Sequence, residues 1–199
     1  MKGWNNMFFY KFARIIVKII LTPLFRIETI GLENIPKEGG IVLCSNHINN
    51  LDPPVVGITM KRPVIFMAKE ELFNIPVLNK IIRLCHAFPV KRGKADREAL
   101  RKGLETLREG KVLGVFPEGT RSKTGELGKG MSGVGFFALK SDAYVIPCAI
   151  IGTYKPFRKT KIVYGKPIPF DELRNKKTSA EEATELIMTH IKEILLQYK

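Results

Sequence analysis

Acidic residues are in short supply in this chain: 19 Asp and Glu stand against 33 Lys and Arg, a net charge of +14. Such a balance favours an anionic partner, which leaves nucleic acid, a membrane surface and phosphorylated metabolites as classes. Cysteine is scarcer still. The three copies, Cys44, Cys85 and Cys148, are scattered through apolar surroundings and odd in number. That excludes a disulfide framework and fits reduced core residues in a cytosolic setting. No Cys/His spacing resembles a metal site, so no metal is expected. Long apolar runs are missing as well, because basic residues interrupt the N-terminal segment well short of the roughly 18 residues a membrane-spanning helix needs. No signal-peptide cleavage site follows that segment. The interleaved aromatic platforms of single-strand nucleic-acid binders are absent, which removes the best use of the positive charge on RNA or DNA. Internal repeats, low-complexity tracts and interdomain linkers are lacking too.

What is there is the material of one globular domain: 199 residues, 45% hydrophobic and 26% charged, enough for a substantial core. Residues 4–22, WNNMFFYKFARIIVKIILT, set Lys11, Arg14, Lys18 and Thr22 at helical spacing as one narrow polar stripe. Aromatic and aliphatic residues fill the rest of the circumference. A core helix with snorkelling lysines would have such a pattern; the aromatic-rich start and the basic chain favour a helix lying in a lipid interface. Residues 1–25 are therefore expected to form an amphipathic docking segment, ended or kinked at Pro23, and residues 26–199 the main domain.

Beyond it, short apolar runs alternate with helical stretches. Strands are predicted over 26–30, 41–45, 64–68, 87–90, 112–116, 145–151 and 161–165. Amphipathic helices are predicted over 95–110 and 179–197, the latter opened by a Ser179/Glu182 capping box. The alternation predicts an α/β fold, a central and largely parallel mixed sheet of about seven strands flanked by helices. Ligands gather where loops leave the carboxyl ends of such strands, and the polar clusters of this chain fall there.

The first cluster is SNHINNLDPP, residues 45–54. His47 and Asp52 meet only if residues 48–51 make a tight turn, for which Asn49-Asn50 is suited. They would then form a base with its orienting carboxylate. Asp52 before Pro53 is also a helix N-cap with proline in the first turn, and that role explains the aspartate without the histidine. The second cluster, FPEGTRS (116–122), carries Glu118, Gly119, Thr120 and Arg121. It is either a phosphate and hydroxyl grip or a salt-bridged turn. The third, FPVKRGKADR (88–97), sets Lys91, Arg92 and Lys94 around a glycine just before a helix start, either an anion site or a solvated charge run. His190, on the apolar stripe of the last helix, and His86, without partners for metal or nucleophilic work, are expected to be structural.

In this order, NHxxxxD, then PVKR, then FPEGTR, the chain resembles the glycerolipid acyltransferase family, most closely the bacterial 1-acyl-sn-glycerol-3-phosphate acyltransferases. The likeness runs from about residue 36 to 170, through VLCSNHINNLDPP, AKEELFNIPVLNKII, AFPVKRGKADREAL, VFPEGTRSKTGELGKG and YVIPCAIIGTY. It implies His47 as general base and Asp52 as its orienter. Glu118, Gly119, Thr120 and Arg121 would bind the acceptor, Arg92 its phosphate. Lys69 would sit near the reacting carbonyl, and Pro147 would be structural at the site's edge. Lys129-Gly130 matches the family's downstream basic segment, although SGVGFFALK (132–140) departs from it.

The chemistry implied is transfer of a fatty acyl group from acyl carrier protein or coenzyme A to the 2-hydroxyl of a 1-acylglycerol 3-phosphate. No cofactor is implied beyond that thioester co-substrate. The substrate brings its own nucleophile, so the absence of a GxSxG elbow is consistent. Membrane lipids and the thioester donor would be the partners, and the cytoplasmic face of the cell membrane the place, by peripheral or monotopic attachment. The same chemistry on another lysolipid or glycerol 3-phosphate is the near alternative. A non-enzymatic module binding anionic membranes is the distant one.

Overall fold

The structure is a computed structural model describing residues 2–85, 87–91 and 96–199, with all side chains among them except those of residues 2–9 and 84. Seven strands among the described residues form one sheet: β1 (Ile27–Ile30), β2 (Ile41–Ser45), β3 (Val64–Lys69), β4 (Phe88–Val90), β5 (Val112–Val115), β6 (Tyr144–Ile151) and β7 (Thr160–Tyr164). Each coincides with a predicted strand to within a residue or two. The helices are α1 (Lys2–Leu24), α2 (Asp52–Thr59), α3 (Pro76–Leu84), α4 (Arg97–Arg108), α5 (Gly133–Lys140), α6 (Asp171–Asn175) and α7 (Ala180–Tyr198). Spatial order across the sheet is β1-β7-β6-β2-β5-β3-β4. β6, β2, β5, β3 and β4 run parallel, and β7 turns back antiparallel on β6, carrying β1 with it. The carboxyl ends of β2, β3, β5 and β6 therefore share one edge.

The sheet is covered on both faces, which is why its central strands read as unbroken apolar runs. Along β2, Val42 and Cys44 face a core completed by Ala99 and Leu107 of α4, Phe137 of α5 and Ile187 of α7. Ile41 and Leu43 face the opposite core, closed by Val55 and Val56 of α2 and by Leu21 and Leu24 of α1. The strand period of two thus sorts neighbouring residues into two separate cores. Cys44 and Cys148 are buried and unpaired, as expected of core residues, whereas Cys85, also free, is only partly buried at the end of α3. Burial pushes the Cys148 thiol up to about 12.

The stretch SGVGFFALK, residues 132–140, forms helix α5 preceded by Ser132. Gly135 lets it press against α7: a Cβ there would stand 1.9 Å from the Ala180 carbonyl oxygen, and the Gly135 N–H donates to Thr184 Oγ1 at 3.1 Å. Gly135→Ala is expected to destabilise the fold by roughly 1–3 kcal/mol through overpacking against backbone, read as a lowered Tm. The capping box on α7 forms as predicted, with the Ser179 hydroxyl accepting from Glu182 N–H and the Glu182 carboxylate accepting from Ser179 N–H.

Helix α1 corrects the predicted polar stripe. Arg14 does not join Lys11 and Lys18 on the outside; its guanidinium turns inward and donates to the Met60 carbonyl at the end of α2. The outer side then carries Phe12, Ile15, Ile16, Ile19 and Ile20, all exposed, with the exposed Lys11 and Lys18 among them. Arg14 is half-buried, and a cation turned toward a packed neighbour needs such an acceptor to offset its lost hydration. No helix among the described residues is long and apolar enough to cross a membrane.

Candidate active site

Asn46, directly after β2, explains how the first polar cluster is aimed. Its side chain donates to the Ile150 carbonyl at 3.0 Å and accepts from the Ile150 N–H at 2.7 Å. It acts as one more rung of the β2–β6 ladder made by a side chain, and both partners are buried. The backbone is thus free to leave the sheet at His47 while remaining pinned to it. Asn49 then closes the turn, its Oδ1 accepting from Leu51 N–H at 3.0 Å and its carbonyl from Asp52 N–H at 3.1 Å.

The turn brings His47 Nδ1 to 2.7 Å from Asp52 Oδ2. The same oxygen accepts the backbone N–H groups of Ile48 and Asn49, each at 2.7 Å. The expectation that Asp52 caps the helix it opens is not met. Helix α2 begins at Asp52, with Leu51 in the capping position and no side-chain cap. The carboxylate points back into the turn instead: Pro53 and Pro54 carry no N–H, and the Val55 N–H is taken by the Leu51 carbonyl at 2.9 Å. Asp52 is fully buried and the His47 side chain 11% exposed. A carboxylate receiving three N–H groups holds the imidazole proton on Nδ1, leaving Nε2 as the acceptor. Nε2 has no partner among the described residues.

The ring is held from below as well. His47 stacks on Phe116 with centroids 4.1 Å apart, and Phe116 stacks on Phe66 at 5.6 Å. Gly114 makes room for this pile, since a Cβ there would come within 2.4 Å of the Phe66 ring. FPEGTRS supplies the remaining restraint. Glu118 Oε1 accepts His47 N–H at 3.0 Å, and Ser122 N–H donates to the His47 carbonyl at 2.7 Å. Glu118 Oε2 reaches on to Gly128 N–H at 3.1 Å. The buried Glu118 thus joins three segments through backbone amides, a role not foreseen from the sequence. Gly119 takes φ 65, and a Cβ there would meet Met131 Sδ at 2.3 Å, so both conformation and space call for glycine.

Thr120 and Arg121 are exposed, and Arg121 has no ion-pair or hydrogen-bond partner among the described residues. Lys69 ends β3 at the same sheet edge, half exposed, its ammonium 3.1 Å from Glu71. Pro147 lies within β6, its carbonyl accepting Gly165 N–H at 2.8 Å. Arg92 and its neighbour Lys94, with His86, lie outside the described residues. His190 is partly exposed on α7 beside Glu193, at 3.2 Å.

Tyr154, also unforeseen, completes the surroundings of Asp52. It sits in the loop after β6 with its ring edge against Phe25. Burial, with the Asp52 carboxylate beside it, holds its hydroxyl proton on well above the usual tyrosine range. Tyr154 Oη and Asp52 Oδ1 are both shut off from solvent without a hydrogen bond of ordinary length and angle. Among the described residues no group of three or more His, Cys, Asp or Glu comes together as a metal site requires. A cleft of about 720 Å³ between residues 125–132 and α7 contains neither dyad residue.

A histidine oriented by a buried carboxylate, at the carboxyl edge of a mostly parallel sheet, is the geometry of a positioned base. The profile of one family, Acyltransferase, matches residues 26–151 and so spans β1 to β6, with His47, Asp52 and the FPEGTR segment among them. The chain belongs to the acyltransferase family.

Relatives of this acyltransferase point the same way. It is 30% identical over 193 residues to a 1-acyl-sn-glycerol-3-phosphate acyltransferase of Bacillus subtilis, covering 93% of this chain and 96% of the relative. Against the protein of the same name from Borreliella burgdorferi it is 32% identical over 148 residues, 73% of this chain but only 56% of the relative's length. The fold is that of the 1-acyl-sn-glycerophosphate (LPA) acyltransferase PlsC from Thermotoga maritima. The crystal structure of PlsC matches all of this chain and 84% of its own, with a TM-score of 0.80 and 26% identity.

Proposed function

We propose that this acyltransferase moves a fatty acyl group from acyl carrier protein or coenzyme A to the 2-hydroxyl of 1-acyl-sn-glycerol 3-phosphate, giving phosphatidic acid. The observation that carries the proposal is the His47–Asp52 pair, with Nδ1 occupied and Nε2 open to the site. A glycerol hydroxyl is a weak nucleophile near neutral pH, and an imidazole placed against it takes its proton as the oxygen attacks the thioester carbon. The C–O bond forms as the carbonyl becomes an oxyanion. The intermediate then collapses, the C–S bond breaks, and the imidazolium returns the proton to the departing sulfur. Asp52 fixes the imidazole tautomer and stabilises the imidazolium between these steps, as the carboxylate of a hydrolytic triad does. Lys69, with backbone N–H groups, is the candidate for the oxyanion. Arg121 is the candidate for the acceptor phosphate, since its guanidinium has no other described partner, and Arg92 is assigned to the same phosphate by resemblance alone.

The membrane part of the proposal rests on α1. Residues 1–25 would dock residues 26–199 on the cytoplasmic leaflet with the apolar outer side of the helix in the lipid interface. Helix α3 lies beside α1 and exposes Val77 and Ile81, extending the same apolar area. Acyl transfer measured with a panel of lysolipids and both thioester donors tests the proposal. Activity confined to lysophosphatidate supports it, and no transfer to any lysolipid overturns it. In the same assay Arg121→Ala is expected to raise KM for lysophosphatidate roughly tenfold or more, the scale of a charge-assisted bidentate contact, with the thioester KM unchanged. An unaltered acceptor KM removes Arg121 from the phosphate.

A further inference from the structure

The loop between β6 and β7 contains an exposed aromatic residue in a conformation that neither burial nor backbone preference explains. Arg158 N–H donates to the Lys155 carbonyl at 3.0 Å, closing a turn with Pro156 second and Phe157 third. Proline suits the second position. The third has positive φ only in the type II form of such a turn, and is then ordinarily glycine or asparagine. Here it is phenylalanine at φ 61, with 72% of its surface exposed. A bulky L-residue is strained there, and the ring gains nothing from the core in return. Strain kept in place by its surroundings points to function.

Those surroundings are specific. Phe157 N–H donates to the Leu24 carbonyl at 2.6 Å and Thr160 N–H to the Phe25 carbonyl at 3.0 Å. The turn is thereby fastened to the carboxyl-terminal end of α1, one helical turn beyond the exposed Ile20. Its neighbours are Lys155, Arg158 and Lys159, all exposed; Lys159 pairs with Glu28 at 2.9 Å, while Lys155 and Arg158 have no described acidic partner. A single aromatic ring held outward between cations, continuous with an apolar helix side, has the chemistry of a wedge for an anionic lipid surface.

We infer that the Lys155–Arg158 turn is a second lipid-contacting element: Phe157 enters the interface beside α1, and Lys155 and Arg158 meet anionic headgroups. The inference rests on the membrane reading of α1 and adds to it a point of attachment from the loop that also carries Tyr154 beside Asp52. Attachment at two places would limit rotation of the domain about the helix and hold one orientation of the site toward the bilayer.

The test is co-sedimentation of the full chain with vesicles of phosphatidylcholine and phosphatidylglycerol in equal parts, and with phosphatidylcholine alone. Phe157→Gly is expected to lower partitioning onto the mixed vesicles about tenfold, the scale of withdrawing one phenyl ring from an apolar phase. The same variant should keep or raise Tm, because glycine takes φ 61 without strain. Lys155→Glu with Arg158→Glu should weaken binding to the mixed vesicles and leave the neutral ones unaffected. Unchanged partitioning of Phe157→Gly overturns the inference, and so does a clear fall in its Tm, which would make Phe157 a structural residue. Loss of acyl carrier protein use with vesicle binding intact would assign the turn to a protein partner and overturn it as well. Ile19→Asp separates the two levels. If the parent chain partitions and only Ile19→Asp impairs it, the turn is excluded while α1 stands; if the parent does not partition, the membrane reading itself falls.

Discussion

Replacing His47 with alanine is expected to lower acyl transfer by about a thousandfold or more, within the range by which a positioned general base accelerates proton transfer; a thousandfold corresponds to roughly 4 kcal/mol of barrier. The protein should nonetheless fold and bind vesicles as before. Asp52 Oδ2 keeps the N–H groups of Ile48 and Asn49 after the imidazole is gone, so the turn retains its internal closure. The His47 backbone keeps its bonds to Glu118 and Ser122. What is lost is Nε2, the Nδ1 bond to Asp52 and the stacking on Phe116. Thioester turnover with a lysophosphatidate acceptor, next to a circular dichroism melt, makes the measurement. Turnover within a few-fold of the parent would remove His47 from the chemistry.

Glu118→Gln is expected to be the second most damaging change, through kcat rather than acceptor binding. Each carboxylate oxygen of Glu118 accepts a backbone N–H, one from His47 and one from Gly128. An amide offers one oxygen, so one of those N–H groups must face an NH₂ group. A donor left unsatisfied in a buried place costs about 1–3 kcal/mol, and the turn carrying His47 can relieve it by moving. Misplacement of a catalytic group by about an ångström costs roughly a hundredfold in rate. The expected result is therefore a kcat reduced about tenfold to a hundredfold, a modest fall in Tm and an acceptor KM near that of the parent. A raised acceptor KM with kcat preserved would mean that Glu118 touches the substrate, as the family resemblance implies, and would reverse the positioning role.

These two substitutions differ in how visible their reasons are in the chain itself. His47 and Asp52 lie in one turn, and the suitability of Asn49-Asn50 for that turn can be read locally. Glu118 meets His47 across 71 positions, and nothing in PEGTR says which backbone groups its oxygens will find. The same holds for Asn46, whose partner Ile150 is 104 positions away, and for Tyr154, whose neighbour Asp52 lies on another loop. Phe66 and Phe116 read as ordinary strand residues until β3 and β5 are set side by side and Gly114 leaves space for the Phe66 ring.

The amino-acid sequence by itself determined the alternation of strands and helices, the seven strands and the order of the polar clusters. These follow from periods of two and 3.6 residues and from turn chemistry, which act over a few neighbours. It also determined that the clusters follow strand ends. Tertiary structure alone decided which groups converge there. Asp52 turned back into its own turn instead of capping α2, because that turn offered an imidazole and two amides while the prolines opening α2 offered no N–H. Arg14 left the polar stripe of α1 for the Met60 carbonyl, because a cation facing a packed neighbour must find an acceptor there. Phe157 took a strained and exposed position where its own N–H and that of Thr160 are tied to the carbonyls of Leu24 and Phe25 at the close of α1. Periodicity cannot see such choices, since each depends on what another part of the chain places within hydrogen-bonding reach.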